Sequence, residues 1–377
     1  MRVLVAGDYC PYGRVLPILE SGNYKAVFGG IRDDICDADY SIVNFECPVV
    51  ERDAKPIDKC GPHLRCTSKA AEALKWVGFK GVTLANNHFL DYGAIGVEDT
   101  IEACVNNDLN YVGGGVDLTE ASKVLYTTVK GSKLAIINCC EHEFSIATEN
   151  TAGSNPYNTV NQFYAIKEGR ENADFVLVII HGGIEHFWLP NQRMIETYRF
   201  FVDVGADAVI NHHQHCYSGY EVYRGKPIFY GLGNFCFDGI GSGDRWSSGY
   251  MVRLLFNAAD DIKFQVLPYR QCDITPDVRL MKGEDRSLFF TRLNEYNDII
   301  SDNERLEKAY IDWCRQHEGL YKSVVNPLYN KITRFLYDGQ LSKYVTNRKK
   351  LLHTLDAILN ESHLERVQLL LKGMLKE

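Results

Sequence analysis

The sequence has no apolar run approaching the roughly 20 residues that a membrane-spanning helix needs. Its opening segment, Met1–Ala6, is also too short for the apolar core of a secretory signal. We therefore expect a soluble, cytoplasmic protein with no transmembrane segment. Basic residues are in deficit, since 41 Lys and Arg stand against 49 Asp and Glu and the formal net charge is −8. This deficit disfavours a dedicated nucleic-acid binder, which needs basic surface to bind phosphates.

Several common catalytic motifs are missing as well. The glycine run Gly113–Gly115 lacks both the Walker lysine and the Rossmann spacing, and there is no Gly-x-Ser-x-Gly nucleophile elbow. The twelve cysteines include no Cys-x-x-Cys pair and often lie within apolar segments. We expect most of them to be buried free thiols.

The remaining pattern predicts an α/β layer architecture. Of the 377 residues, 45% are hydrophobic, which is enough for a substantial core. Short apolar runs predict strands at 3–6, 41–45, 81–84, 134–138, 175–180, 208–210 and 227–230. Apolar residues at three- and four-residue spacing predict helices at 68–77, 95–106, 160–172 and 192–204.

The pattern changes twice farther along the chain. From about Tyr217 to Pro268, strands follow one another without helices, which predicts antiparallel pairing. Beyond Pro276 helical patterns dominate. We therefore predict an α/β domain over 1–275 and a helical C-terminal region over 276–377.

Polar residues that can bind metal follow the predicted strands. They are Asp8, Glu46, Asn86-Asn87-His88, His181 and Asn211-His212-His213-Gln214-His215. Sheets of this class usually place their sites at such strand ends. Carboxylate, amide and imidazole ligands suit Mn, Fe or Zn, and their number exceeds the needs of one ion. The sequence therefore predicts a site for two divalent metal ions.

Six ordered motifs over residues 1–270 resemble the CapA-type poly-γ-glutamate capsule biosynthesis family, a branch of the calcineurin-like metallophosphoesterase fold. The motifs are Gly7-Asp8, Asn44-Phe45-Glu46-Cys47-Pro48, the segment 84–93 around Asn87-His88, His181-Gly182-Gly183-Ile184-Glu185, the segment 205–215, and the segment 225–235 that ends in Gly233-Asn234-Phe235. The resemblance implies a four-layer αββα sandwich with metals at strand ends between the two sheets.

The resemblance also implies roles for individual residues. Asp8 and His215 would bind the first metal, and Glu46 would bridge both ions. The second metal would take Asn87, His181 and His213. His88 would be the catalytic histidine, which in its cationic form neutralises developing charge or protonates the leaving oxygen.

The sequence departs from the broader phosphoesterase pattern near these ligands. Cys10 stands where those enzymes commonly carry a histidine, and it is either a soft ligand or a buried thiol. Asn211 and Gln214 replace a glycine and a proline of the family pattern. We consider His212 less suited to binding metal, because an extended segment would turn His213 and His215 to the same side.

The other polar residues near these motifs each have more than one possible role. Arg14 could meet an anionic substrate or lie in an exposed turn, and Glu185 could orient an imidazole, contact substrate or be a solvated acid. Asn44 and Asn86 are candidates for supporting roles around the ligands, and Asn234 for a close backbone approach or a tight turn. Two further residues are assigned structural roles: His142 in an exposed loop, and Asp91 fixing the backbone.

Three functions are compatible with these motifs. The leading hypothesis is a metal-dependent hydrolase that directs a metal-activated water at a phosphoester, in association with capsule or poly-γ-glutamate biosynthesis. The second is an amide or γ-glutamyl hydrolase acting on a cell-envelope polymer. The third is a non-catalytic protein that binds an anionic polymer or capsule-assembly proteins. The expected partners are thus an anionic small molecule or polymer and assembly proteins.

Overall fold

The computed structural model describes residues 1–239, 241–257, 262–317 and 348–374. Within these ranges the strands are β1 Arg2–Cys10, β2 Tyr40–Phe45, β3 Gly81–Thr83, β4 Asn110–Val112, β5 Gly114–Gly115, β6 Leu125–Val129, β7 Ser132–Cys140, β8 Gly153–Ser154, β9 Phe175–His181, β10 Ala208–His212, β11 Tyr220–Tyr223, β12 Lys226–Phe229, β13 Asn234–Phe237, β14 Ser248–Leu255, β15 Lys263–Gln271 and β16 Val278–Leu280. The helices are α1 Val15–Glu20, α2 Tyr24–Phe28, α3 Arg32–Cys36, α4 Lys69–Val77, α5 Gly93–Asn106, α6 Leu118–Ala121, α7 Thr159–Asn172, α8 Gln192–Val204, α9 Gly283–Ile300, α10 Asn303–Gln316, α11 Arg348–Leu359 and α12 Glu361–Met374.

The described strands form two large sheets and one small one. The first sheet has the order β16-β15-β14-β1-β2-β3-β4, and β13 also pairs with β1. The second has the order β11-β12-β10-β9-β7-β6, and β5 pairs with β8 in a two-stranded sheet. Both large sheets are mixed, because each has a parallel centre and antiparallel strands toward an edge.

Alternation along β1 explains how the two large sheets stack. Val3 and Val5 belong to a buried cluster shared with the second sheet, whereas Leu4 and Ala6 belong to a cluster shared with helices. Successive side chains of a strand point to opposite faces, so a strand with both faces buried is apolar throughout. The first sheet therefore lies between another sheet and a helical layer.

Helices cover the outer face of each sheet. Buried residues of α1–α5 pack against the first sheet, and those of α7 and α8 pack against the second. The layer order is helix, sheet, sheet, helix, which confirms the predicted four-layer αββα sandwich. All twelve cysteines fall within the described ranges; they are free thiols, and ten of them are buried.

The strands after Tyr217 are divided between the sheets. β11 pairs antiparallel with β12 in the second sheet, whereas β14 and β15 pair antiparallel in the first. The sequence pattern did not indicate this division, and it did not reveal β13, which runs parallel to β1. Local alternation identifies a strand but does not choose its partner.

The C-terminal region is largely helical, as expected, but one strand lies past residue 275. β16 pairs with β15 before α9 begins. Helices α9 and α10 extend the core cluster of the second sheet through residues such as Phe289 and Trp313. Residues 318–347 and 375–377 of the predicted helical region lie outside the described ranges. Among the helices described, none combines the length and apolarity needed to span a membrane.

Candidate metal centre

The sequence-predicted ligands converge where strands of both sheets end. β1, β2 and β3 are parallel in the first sheet, and β9 and β10 are parallel in the second. Parallel strands bring their carboxyl ends to one edge of a sheet. The side chains buried at this edge are Asp8, Glu46, Asn87, His88, His181, His212, His213 and His215.

Asp8 lies at an irregularity within β1 rather than after the strand. The register between β1 and β2 shifts between Ala6 and Asp8, and such bulges redirect a side chain. Gly7 permits the close approach that accompanies the bulge, because a Cβ there would lie 1.8 Å from the carbonyl oxygen of Gly233. The redirected Asp8 carboxylate accepts a hydrogen bond from Asn44 Nδ2 at 2.8 Å.

Glu46 has the properties of a metal ligand. Its side chain is fully buried, and neither carboxylate oxygen has a hydrogen-bond partner among the described residues. An ionised carboxylate left in this state is strongly unfavourable. Ligand atoms of Asp8, Glu46 and His181 all lie within 4.8 Å of one another. A divalent cation among them would compensate the buried charge, so the residues fit a metal.

Asn87, His181 and His213 form the group predicted for the second metal. His181 Nε2 lies 3.0 Å from Asn87 Oδ1 and 3.1 Å from His213 Nδ1. The same nitrogen lies 3.9 Å from Glu46 Oε1. Amide oxygen, imidazole nitrogens and carboxylate thus converge on one small volume, as the ligands of a metal do.

The residues predicted for the first metal also lie close to Glu46. His215 Nε2 is 3.6 Å from Glu46 Oε1, and His215 Nδ1 is 3.8 Å from Asp8 Oδ2. Asn234 Oδ1 lies 2.9 Å from His215 Nδ1 and fixes the ring. With Nδ1 so engaged, Nε2 is left to bind metal, as in other supported metal-binding histidines.

The histidine segment does not have the extended backbone that the alternation argument assumed. His213 has φ 96° and His215 has φ 55°, so both lie in the left-handed region. Their rings nevertheless lie together, with centroids 6.2 Å apart. His212 remains in β10, and its Nδ1 lies 3.6 Å from Asp8 Oδ1, while neither ring nitrogen has a hydrogen-bond partner in the described part of the chain. His212 therefore lies at the end of β10 beside Asp8, at the edge of the candidate metal centre.

Burial opposes charge on both carboxylates and on two of the histidines. It raises the pKa of Asp8, and it raises the pKa of Glu46 well above its usual range, with the nearby Asp8 carboxylate adding to the effect. Burial likewise lowers the pKa of His215 to about 4 and that of His212 to about 3. Neutral imidazoles are the form that binds metal, and a bound cation favours the ionised carboxylates.

His88 lies beside this cluster in a buried charged group. His88 Nδ1 is 2.8 Å from Asp91 Oδ2 and 3.2 Å from Lys59 Nζ, and Lys59 forms an ion pair with Asp91. Burial, reinforced by the Lys59 cation, lowers the pKa of His88. The structure therefore favours neutral His88 with its proton on Nδ1, where Asp91 can accept it. The cationic form expected from the sequence is disfavoured.

Lys59 was missed in the sequence analysis. Its side chain is only 3% exposed, and that of Asp91 is fully buried. The segment before Lys59 is polar and has no periodicity that would predict a buried residue. Only the fold brings this loop over Asp91, whose carboxylate also accepts a hydrogen bond from the Leu64 amide at 2.7 Å.

Asn44 and Asn86 support the candidate ligands. Besides bonding Asp8, Asn44 Nδ2 lies 3.2 Å from His181 Nδ1. Asn86 Nδ2 donates to the carbonyl oxygen of Phe45 at 2.9 Å, and its Oδ1 accepts from the His88 amide at 3.1 Å. Asn86 thus fixes the backbone on which the following residues are carried.

Glu185 belongs to the charge environment of the centre. Burial favours its neutral form, but His213 and His215 outweigh this effect and lower the pKa of Glu185 to about 2.

His142 does not enter this group. Its Nδ1 lies 2.5 Å from a carboxylate oxygen of Glu361 in α12, and this hydrogen bond raises the pKa of His142.

The structure does not bring Arg14 or Cys10 into the centre. The Arg14 guanidinium donates to Asp238 Oδ1 at 2.8 Å and to the carbonyl oxygen of Cys272 at 3.0 Å. These hydrogen bonds tie the segment that carries Arg14 to the loops that follow β13 and β15. Cys10 lies in the core cluster shared with helices α1–α5, and burial raises the pKa of its thiol well above the usual range. A buried thiol, rather than a soft metal ligand, describes Cys10.

Comparisons with known proteins agree with the motifs. The family model of the bacterial capsule synthesis protein PGA_cap matches residues 2–239. The capsule biosynthesis protein CapA of Bacillus anthracis is 34% identical over 246 residues, which cover 63% of this chain and 60% of that relative. The PGA biosynthesis protein CapA of Bacillus subtilis strain 168 is 32% identical over 274 residues, covering 72% of this chain and 71% of the relative.

Among solved structures, a novel phosphatase from Mycoplasma pneumoniae is similar, with 15% identity and a TM-score of 0.42 over 73% of this chain and 95% of that one. The match to the family model extends over more than half of the sequence and includes all of the candidate strand-end ligands described above. The chain therefore belongs to the bacterial capsule synthesis protein PGA_cap family.

Proposed function

We propose that this protein is a metal-dependent hydrolase that uses two divalent ions, Mn, Fe or Zn, to cleave a phosphoester during capsule or poly-γ-glutamate synthesis. The observation that carries the proposal is Glu46. Its buried carboxylate has no hydrogen-bond partner among the described residues, and its Oε1 lies 3.9 Å from His181 Nε2 and 3.6 Å from His215 Nε2, so it is close to a histidine of each predicted ligand set. A purely structural glutamate would be expected to have hydrogen-bond partners instead.

In this proposal the residues divide into two sets that share Glu46. Asp8 and His215 would hold the first ion, and Asn87, His181 and His213 would hold the second. Two such ions, when bound, supply an activated water and neutralise charge on the phosphoryl oxygens. The protein contributes the buried position of the ligands, which strengthens electrostatic interactions with an anionic substrate.

His88 would serve as a proton carrier beside the ions. Asp91 occupies Nδ1, so the opposite nitrogen, Nε2, is the one that can exchange a proton with the leaving oxygen. The Lys59 cation disfavours a lasting positive charge on the ring. His88 would therefore hold a second proton only briefly, which suits transfer rather than storage.

Metal content per chain is the first test. Elemental analysis of purified wild type, Glu46→Ala and the exposed-surface control Glu171→Ala should give about two transition-metal ions in wild type and in the control, and far fewer in Glu46→Ala. Hydrolysis should also be lost in His213→Ala with folding retained. Absence of metal from wild type, even after supplementation, would refute the proposal, as would full activity of His213→Ala.

A second candidate is hydrolysis of an amide or γ-glutamyl bond in a cell-envelope polymer. It is favoured by the Bacillus subtilis relative, whose name is PGA biosynthesis protein CapA. The same ligand set could activate water for attack on an amide carbonyl. Phosphoesters and γ-glutamyl peptides assayed side by side with the same preparation would separate the two. Turnover of γ-glutamyl peptides alone would favour the second candidate, and turnover of neither would leave binding of an anionic polymer or assembly partner.

A further inference from the structure

The turn between α11 and α12 lies against the loop that follows β7, close to the candidate metal centre. Asn360 Nδ2 donates a hydrogen bond to Glu143 Oε1 at 2.9 Å. The next residue, Glu361, accepts one from the backbone N–H of His142 at 2.9 Å. This turn lies outside the segment 2–239 that the family model matches. Its contacts therefore join a part of the chain outside the family match to the part that carries the candidate ligands.

The side chain of Asn360 is held in one orientation. Its Oδ1 accepts hydrogen bonds from the backbone N–H groups of Ser362 at 2.9 Å and His363 at 3.0 Å, so Asn360 caps the start of α12. With the oxygen used in this way, the amide nitrogen must face the other direction, toward Glu143. The helix cap thus fixes the orientation of the Asn360 amide nitrogen, which donates a hydrogen bond to Glu143.

A second anchor keeps the turn in place. Arg193 of α8 donates to Glu141 Oε1 at 2.5 Å and to Ser362 Oγ at 3.0 Å, and it forms an ion pair with Glu365. Asn191, which caps α8, donates to Glu365 at 2.7 Å. Because several charged hydrogen bonds tie α12 to α8, the position of Asn360 is set by the fold rather than by one contact.

Glu143 links this turn to a predicted metal ligand. Glu143 Oε1 lies 3.8 Å from His213 Nε2, while His213 Nδ1 faces His181 Nε2 at 3.1 Å. The two ring nitrogens therefore have different neighbours, with Nδ1 toward the candidate metal position and Nε2 toward a carboxylate. Histidines that bind metal usually donate their other N–H to a carboxylate or carbonyl, which fixes the tautomer and the orientation of the ring.

We propose that Glu143 and Asn360 are positioning residues of the metal centre. Asn360 holds the Glu143 carboxylate, and Glu143 orients His213 as a ligand of the second ion. This inference rests on the proposed function, because it presupposes that His213 binds metal. It extends that function by making the α11–α12 turn a determinant of metal affinity rather than a separate packing element.

The test is the affinity for Mn²⁺ of the chelator-treated full-length chain, measured by isothermal titration calorimetry. The variants are Asn360→Ser, which keeps a helix cap but removes the amide donor, and Glu143→Ala and Glu143→Gln. Exposed Lys349 in α11 provides the control Lys349→Ala. We expect one of the two ions to bind about 10–100-fold more weakly in Asn360→Ser and Glu143→Ala. Glu143→Gln, which keeps an acceptor oxygen, should recover part of the loss.

The melting temperature of each metal-free variant distinguishes positioning from folding. We expect it to stay close to that of Lys349→Ala, because the turn keeps the Arg193 and Glu361 contacts. If wild type binds two ions and the Asn360 and Glu143 variants bind both within twofold of the control, the positioning role is overturned and the proposed function stands. If wild type binds none of Mn²⁺, Fe²⁺ and Zn²⁺, the proposed function fails first and this inference fails with it.

Discussion

Removing one partner of the buried pair of Lys59 and Asp91 should cost much stability, and this loss can be separated from metal binding. Their side chains are 3% and 0% exposed, and they form an ion pair next to His88. Removing one partner of a buried ion pair costs about 3–5 kcal/mol, because an unpaired charge remains in a low-dielectric interior. Asp91 would keep His88 and the Leu64 amide as partners. We therefore expect Lys59→Met to lower the free energy of unfolding by about 3 kcal/mol, the lower end of that range.

A surface pair provides the matched control. Lys69 and Glu72 of α4 form an ion pair with side chains that are 42% and 37% exposed. Exposed pairs of this kind contribute up to about 0.5 kcal/mol, so Lys69→Met should be nearly neutral. Urea unfolding followed by circular dichroism at pH 7, with chelator present, gives both values without a metal contribution. Equal losses in Lys59→Met and Lys69→Met would refute the reasoning that burial makes the Lys59 pair strong.

The same pair predicts a dependence on pH. Burial would raise the pKa of Asp91, but His88 and Lys59 outweigh burial, and the pKa of Asp91 is lowered in the folded chain. A carboxyl group with a depressed folded pKa stabilises the protein above its unfolded pKa, and this stabilisation is lost as the pH falls through the lower, folded value. Below about pH 4, wild type should therefore lose stability more steeply than Asp91→Asn. Parallel curves for the two proteins would contradict this assignment.

Two further predictions concern residues near Asp8 and in the loops. Gly7→Ala should abolish or severely destabilise the fold, because the added Cβ would lie 1.8 Å from the carbonyl oxygen of Gly233. The control is Gly169→Ala in α7, where the nearest contact of the added Cβ is 3.3 Å. This variant should change the melting temperature little. Arg14→Ala should lower the melting temperature by removing the partner of buried Asp238, while leaving the KM for a phosphoester unchanged. A normal melting temperature with a raised KM in Arg14→Ala would instead assign Arg14 to substrate binding.

Much of the architecture follows from the sequence, because it depends on local periodicity. Helix α8 begins and ends at the residues that its apolar spacing predicts, and β9 differs from its predicted run by a single residue. The convergence of the candidate ligands was also predictable, since parallel strands bring their carboxyl ends to one edge. Asp8 and Glu46 are close in space for this reason, although 38 positions separate them in the chain.

The tertiary structure decided what depends on contacts between distant segments. The sequence alone left Arg14 open between a substrate contact and a surface turn, and only the approach of Asp238 settles where its guanidinium goes. No local pattern distinguishes Lys59 as buried, because its partner Asp91 lies 32 positions away in the chain. The contact between Glu143 and Asn360 spans 217 positions and exists only because α12 packs against α8. Periodicity determines which face of an element is apolar, whereas the pairing of buried charges is determined by which elements the folded chain brings together.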